Sequence, residues 1–107
     1  MYYRVLNGGT LETVTFSAQS FTLFDQTSIG TTTKTFNFTL SNGKKAKYVG
    51  LKQVTASANQ SGHSNGASIV SFSQNNTTLT VTVSVTHGGN HNFPQTINYT
   101  LIIEAIC

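Results

Sequence analysis

The sequence predicts an all-β fold, a single antiparallel β-sandwich of jelly-roll or immunoglobulin-like type with about seven to eight strands. Three observations carry this prediction. In TTLTVTVSVTH, residues 77–87, Leu79, Val81, Val83 and Val85 alternate with Thr78, Thr80, Thr82, Ser84 and Thr86, the pattern of a strand with one dry face. The closing QTINYTLIIEAIC repeats the pattern, with Ile97, Tyr99, Leu101 and Ile103 on one face and Asn98, Thr100, Ile102 and Glu104 on the other. These two strands read together as the spine of a sheet. The remaining apolar segments are short, recur roughly every 10 residues between turn residues, and never hold a helical period over three turns.

Taken in order, residues 2–6 form a short apolar segment that stops at Asn7-Gly8-Gly9, where glycine permits the positive φ of a tight turn, so this reads as a first, edge-like strand. TLETVTFS, residues 10–17, alternates Glu12, Val14 and Phe16 with Leu11, Thr13 and Thr15, and FTLF follows at 21–24. Both pieces suit strands better than helix. Residues 25–33, DQTSIGTTT, carry loop chemistry and lead into KTFNFTLS, where Phe36, Phe38 and Leu40 face one way. Asn42-Gly43 then signals a type I′ hairpin turn. AKYVGLKQVT returns with Tyr48 and Val54 on one face and Val49 and Leu51 on the other, which predicts an antiparallel hairpin over 34–55. Residues 56–66 form a long loop of small residues, and ASIVSFS supplies a short strand with Ile69, Val70 and Phe72. Gln74-Asn75-Asn76 turns into the spine strand, and HGGNHNFP at 87–94 connects the two spine strands through glycines and the one proline.

No repeat, charge run or linker divides the chain, so residues 1–107 read as one domain, a length that buries roughly two-thirds of the unfolded surface without disulfide or metal staples. Charged residues make up only 8%, against 37% apolar, and the formal net charge is +3. The surface is therefore hydrogen-bonding but weakly self-repelling, which points to assembly. The small basic cluster Lys44, Lys45 and Lys47, with Arg4 the single arginine, argues against nucleic acid, whose phosphates want clustered cations and bidentate guanidinium groups. The single cysteine, Cys107, excludes an intrachain disulfide and reads as an inert thiol at a frayed end. No apolar run approaches the roughly 18 residues of a membrane span, and MYYRVLNGG lacks the apolar core of a secretory signal, so the chain reads as made in the cytoplasm.

Catalytic chemistry finds little to work with. Glu12, Asp25 and Glu104 are the only carboxylates, and solvation or pairing with lysine is their ordinary role. His63, His87 and His91 form a candidate ligand loop, since His87-Gly-Gly-Asn-His91 bends two imidazoles together, but zinc wants three or four ligands. No metal or other cofactor is therefore expected. The Gly62-His63-Ser64 triplet does not match a nucleophile elbow, and phosphate and dinucleotide loops are missing, so no enzyme is expected. Tyr2, Tyr3 and Tyr48 are candidate platforms for a sugar ring, against the commoner role of tyrosine as a core residue with its hydroxyl at the rim. Apolar residues on polar-facing positions, namely Phe24, Ile102 and Ile106, are the candidate subunit contacts.

In its lack of a signal, very low charge and Thr/Ser/Asn-rich strands, with FNFTLSNGKKAKYVGLKQVT followed by a glycine-serine loop and TLTVTVSVTH, the chain resembles the small all-β accessory proteins of tailed-bacteriophage virions. These are head-decoration, head-fibre and tail-associated modules. It is also faintly similar to the H-type lectin and fibre-tip sandwiches of such particles. The resemblance implies a non-enzymatic virion protein whose copies assemble, often as trimers, on a capsid or tail with other virion proteins. A carbohydrate-binding module is the alternative, with a glycan as its partner. The resemblance carries over no functional residue.

Overall fold

A computed structural model of the chain describes residues 11–25, 30–57, 63–89 and 95–107. The predicted first strand at 2–6 lies outside the described residues, as do Tyr2, Tyr3 and His91. Among the described residues there are seven strands and no helix: β1 (Thr13–Thr15), β2 (Gln19–Asp25), β3 (Gly30–Thr39), β4 (Tyr48–Ser57), β5 (His63–Asn75), β6 (Thr78–Gly89) and β7 (Gln95–Ile106). They form two antiparallel sheets, neither of which closes into a barrel. In one, β7 is central, with β1 and β2 along one side and β4 along the other. In the other, β6 is central between β3 and β5.

The two spine strands predicted from the sequence are therefore not neighbours in one sheet. Each is the centre of its own sheet, and their dry faces meet in a shared core. Leu79, Val81, Val83 and Val85 of β6 and Ile97, Tyr99, Leu101, Ile103 and Ala105 of β7 are all 0% exposed. Burying one such side chain stabilises the fold by roughly 1.5 to 3 kcal/mol. Aromatic rings join the sheets along the β1/β2 and β3 edges: Phe16 stacks on Phe38 at 4.2 Å between centroids, and Phe21 tilts against Phe36 at 6.0 Å. The Tyr99 hydroxyl crosses to the other sheet and donates to the Thr86 carbonyl at 3.1 Å, so the buried ring keeps its polar end satisfied.

The hairpin expected over 34–55 is absent. β3 pairs with β6 and β4 with β7, so the Asn42-Gly43 turn is a corner between sheets. Its backbone explains the difference. Lys44 N–H donates to the Ser41 carbonyl at 3.0 Å, and of the two central residues only Gly43 has positive φ, +84°. That is the sign pattern of a type II turn, which splays strands, and not of the I′ turn that twists them together. Gln74 holds the corner in place: its Oε1 accepts from Ala46 N–H at 2.8 Å, and its Nε2 donates to the carbonyls of Lys44 and Asn76. The true tight hairpin joins β5 to β6, where Asn75 opposes Thr78 and Asn76 takes φ 55°.

Two strands, and the edge formed by β1 and β2 together, carry one residue more than their partner. In β4 the register slips between Leu51 and Gln53, leaving Lys52 and Gln53 opposite Ile102. In β5 it slips between Ile69 and Ser71, leaving Val70 and Ser71 opposite Thr82. Along the β1/β2 edge Thr15 opposes Glu104 and Gln19 opposes Leu101, which leaves Ser17 and Ala18 for Ile102. These β-bulges change which residues face inward. Val49, Leu51, Val54 and Ala56 all pack towards the core while Tyr48 is turned out, so the predicted pairing of Tyr48 with Val54 on one face is wrong because the bulge shifts the alternation between them.

The chain end is not frayed. Cys107 is 8% exposed in the core, and its backbone exchanges two hydrogen bonds with Glu12, at 3.1 and 2.9 Å, continuing the β1–β7 ladder.

Candidate functional site

The outer faces of the two central strands differ. On β6 the outward residues are Thr78, Thr80, Thr82, Ser84 and Thr86, and the neighbouring β3 answers them with Thr31, Thr33, Thr35, Asn37 and Thr39. Thr80 Oγ1 donates to Asn37 Oδ1 at 2.8 Å, and the Thr35 and Thr82 hydroxyls lie 3.5 Å apart. On β7 the outward residues begin in the same way. Asn98 Oδ1 accepts from Thr22 Oγ1 at 2.6 Å, and the Thr100 and Ser20 hydroxyls are 3.1 Å apart. The chemistry then changes to Ile102, Glu104 and Ile106, in line along one face because a strand repeats every second residue.

Ile102 is the one position flanked by bulges on both sides, Ser17–Ala18 and Lys52–Gln53, so both neighbouring strands bend where it stands. Ile106 opposes Thr13 on one side and Tyr48 on the other. Tyr48 is 60% exposed, the most exposed large hydrophobic among the described residues. Its ring folds back along its own strand over Gly50, where an added Cβ would stand 3.1 Å from the ring. Gly50 in turn opposes Glu104, so the tyrosine ring occupies the space that a side chain at position 50 would fill, across the ladder from the acid. The result is an apolar strip, Ile102, Ile106 and Tyr48, with one carboxylate among them.

The sequence candidates are distributed unevenly over this surface. Ile102 and Ile106 share it. Phe24 does not: its backbone partner is Thr96, six residues along β7 from Ile102, or roughly 20 Å at about 3.4 Å per residue. The side chain of Phe24 lies outside the described residues. His63 and His87, read from the sequence as loop residues, belong to β5 and β6, opposite Gly89 and Asn65, which makes them diagonal neighbours in the ladder. The strands run on here because Ser64 to Gly66 and His87 to Gly89 continue the register despite their small residues. The two imidazoles and all of His91 lie outside the described residues. Among the described residues no three of His, Cys, Asp and Glu gather as a metal site would need.

Glu12 opposes the buried Cys107 and Glu104 opposes the exposed Thr15, so alternation puts these two carboxylates on opposite faces of the sheet, where they do not flank one bond. Glu12 is instead paired with Lys44 at 2.6 Å, and the bond to that carboxylate holds the lysine ammonium above its ordinary range. Two open clefts of about 260 and 270 Å³ flank the 42–47 corner, lined by Lys45, Gln74 and Asn76 and by Asn42, Lys44 and Thr77. Gln74, which clamps the corner, lines the first of them. Among the described residues no helix is long and apolar enough to cross a membrane.

No protein-family model, curated protein or solved structure matches the chain. Tyr48 is the member of the strip that sequence reasoning did not connect to Ile102 and Ile106, because it was assigned to a hairpin with β3. The signal that links them is the strand pairing of β4 with β7, which no local pattern encodes.

Proposed function

We propose that this chain is a non-enzymatic structural component of a phage virion, a capsid-decoration, head-fibre or tail accessory protein that acts by self-assembly and by attachment to the particle. The observation that carries the reading is the strip on the outer face of β7, where Ile102 and Ile106 take positions that the equivalent face of β6 gives to threonine and serine. Ile102 and Ile106 are half-buried and Tyr48 is exposed, apolar positions that burial against a neighbour would cover, and with 8% charged residues little repels a second copy or a particle from them. The resemblance to virion accessory proteins supports the placement on a particle. The strand order supports a β-sandwich of jelly-roll type over an immunoglobulin-like one. The first described strands pair with the last, β3 with the next to last, and the outer strands β4 and β5 pair with the same two central strands. Jelly rolls recur in capsid and lectin domains.

Native mass spectrometry and co-sedimentation with phage particles test this. Ile102→Asp is expected to lower the assembled mass or release the chain from particles while the melting temperature falls by only a few degrees. A chain that is monomeric at high concentration, binds no particle, and unfolds on Ile102→Asp overturns the reading.

One observation favours a second reading, a carbohydrate-binding module. The Tyr48 ring is exposed and folds over Gly50, whose partner across the ladder is Glu104, so an aromatic surface stands on the outer face of the β4–β7 pair. Glycan titration monitored at Tyr48 separates the two: a sugar-dependent change lost in Tyr48→Ala favours the module.

A further inference from the structure

Three of the four outer strand lines are interrupted by an extra residue: β1/β2 at Ser17–Ala18, β4 at Lys52 and β5 at Val70. Bulges of this kind twist an edge away from intermolecular pairing. β3 is the exception. It pairs with β6 without a break from Gly30 opposite His87 to Thr39 opposite Thr78, and among the described residues it has no strand on its other side.

The parity of its free side follows from one bond. Leu40 N–H donates to the Thr77 carbonyl at 2.7 Å, one step beyond Thr39 opposite Thr78, so even-numbered residues of β3 direct their backbone groups to β6. Odd-numbered residues, Thr31, Thr33, Thr35, Asn37 and Thr39, direct theirs outward. Such a row recognises an extended backbone. We infer that β3 is a pairing edge for a second copy of this chain, joined antiparallel to the same strand about a two-fold axis at Thr35.

The side chains choose that register. To keep both cores on the same side, residues of like parity must face one another, which leaves few two-fold arrangements. Centring on Lys34 opposes two lysines directly, on the inner face and at the closest type of cross-strand pair. Moving by one step to centre on Thr35 places Lys34 opposite Phe36 of the second copy, with Thr31 opposite Thr39 and Thr33 opposite Asn37. Lys34 already sits 5.4 Å from the Phe21 ring centroid, so its ammonium is held among aromatic faces at this edge, and Phe36 of the second copy extends that environment. An inward lysine on an edge strand usually discourages pairing. Here it excludes one register and suits the next. The contact is isologous, a two-fold pair where the resemblance implies trimers.

This inference deepens the assembly reading and rests on it only for the premise that copies associate; the edge is a different surface from the Ile102 strip. The test is amide hydrogen exchange with residue resolution over a range of concentrations, alongside native mass. The odd amides Thr33, Thr35 and Asn37 are expected to become protected as the mass doubles, while the even amides Lys34 and Phe36, bonded to β6, are protected throughout. Thr35→Pro removes an outward N–H and no bond to β6, so in an Ile102→Asp background, where the strip no longer contributes to the mass, it should keep the fold and abolish both the doubled mass and the odd-amide protection. Ile102→Asp should leave that protection in place, which separates failure of the strip from failure of the edge. Odd amides that exchange freely at every concentration overturn the inference, as does a doubled mass that survives Thr35→Pro in a folded variant that also carries Ile102→Asp. Protection independent of concentration also overturns it, because a segment of the same chain would then cover the edge. Tighter association of Lys34→Glu mixed with the unaltered chain than of either alone would overturn the Thr35-centred register.

Discussion

β6 and β7 are the same strand on the inside and different strands on the outside. Each is central in its sheet, each runs without an extra residue, and each presents an inner row that is 0% exposed. Outside, β6 carries an unbroken run of Thr and Ser, while β7 ends in Ile102, Glu104 and Ile106 with a bulge on either side of Ile102. The inner rows are accounted for by the shared core alone. The outer rows differ in chemistry and in the bulges beside them, and the β7 face is the surface on which the proposed assembly rests.

The largest effect should come from deleting one residue, because the consequence depends on whether the strand has a residue to spare. Removing Thr82 from β6 turns Val83 and Val85 outward, at a cost of roughly 3 to 6 kcal/mol for their lost burial alone. Removing Lys52 from β4 leaves Leu51, Val54 and Ala56 facing inward with strict alternation, and should cost within about 1 kcal/mol. Denaturant unfolding of the two deletions checks this. If deleting Lys52 is as damaging as deleting Thr82, the bulge does more than adjust the register.

Next in size, Leu79→Ala in β6 and Leu101→Ala in β7 should each cost about 2 to 5 kcal/mol, since both leave a cavity in the same packed layer. Similar losses in urea midpoints would support two equivalent inner faces. A loss confined to β7 would mean that the β6 sheet is dispensable, and the equivalence behind the comparison would be gone.

How much of this was legible in the sequence follows from what alternation can encode. It identified the inner rows of β6 and β7 and the inward Phe36, Phe38 and Leu40, because period two is a local property. It did not identify the partners. Asn42-Gly43 looks the same whether the chain returns beside its own strand or crosses to the other sheet, and the corner that forms is bonded to Gln74, some 30 residues away in sequence. The bulges were legible in principle. Val49, Leu51, Val54 and Ala56 follow spacings of two, three and two, and so do Ala67, Ile69, Phe72 and Gln74 and, with a polar third member, Val14, Phe16, Gln19 and Phe21. Strict alternation misread the first of these and put Tyr48 on the wrong face. The outward places of Ile102 and Ile106 were read correctly, whereas their proximity to Tyr48 required knowing that β4 lies beside β7.

The smallest effect concerns the end where β7 meets the 42–47 corner. Lys44 Nζ bonds Glu12 at 2.6 Å, with 39% and 52% of the two side chains exposed, so solvent screens the pair and its contribution to stability is minor. The sign is still fixed. The hydrogen bond to Glu12, then its charge, raises the Lys44 pKa above 10.5, so folding favours the protonated lysine. That contribution is complete below the unfolded pKa and is lost as pH rises through the higher folded value. The melting-temperature difference between the unaltered chain and Glu12→Gln should therefore be flat from about pH 7 to 9, narrow only in strong alkali, and shrink with added salt. A difference that persists in strong alkali and in salt would assign the role of the Glu12 side chain to uncharged packing, and no difference at any pH would leave position 12 contributing through its backbone bonds to Cys107. The end of β7 would then be held by its ladder, as the central strand of the β6 sheet is, and the charged pair would no longer distinguish the two.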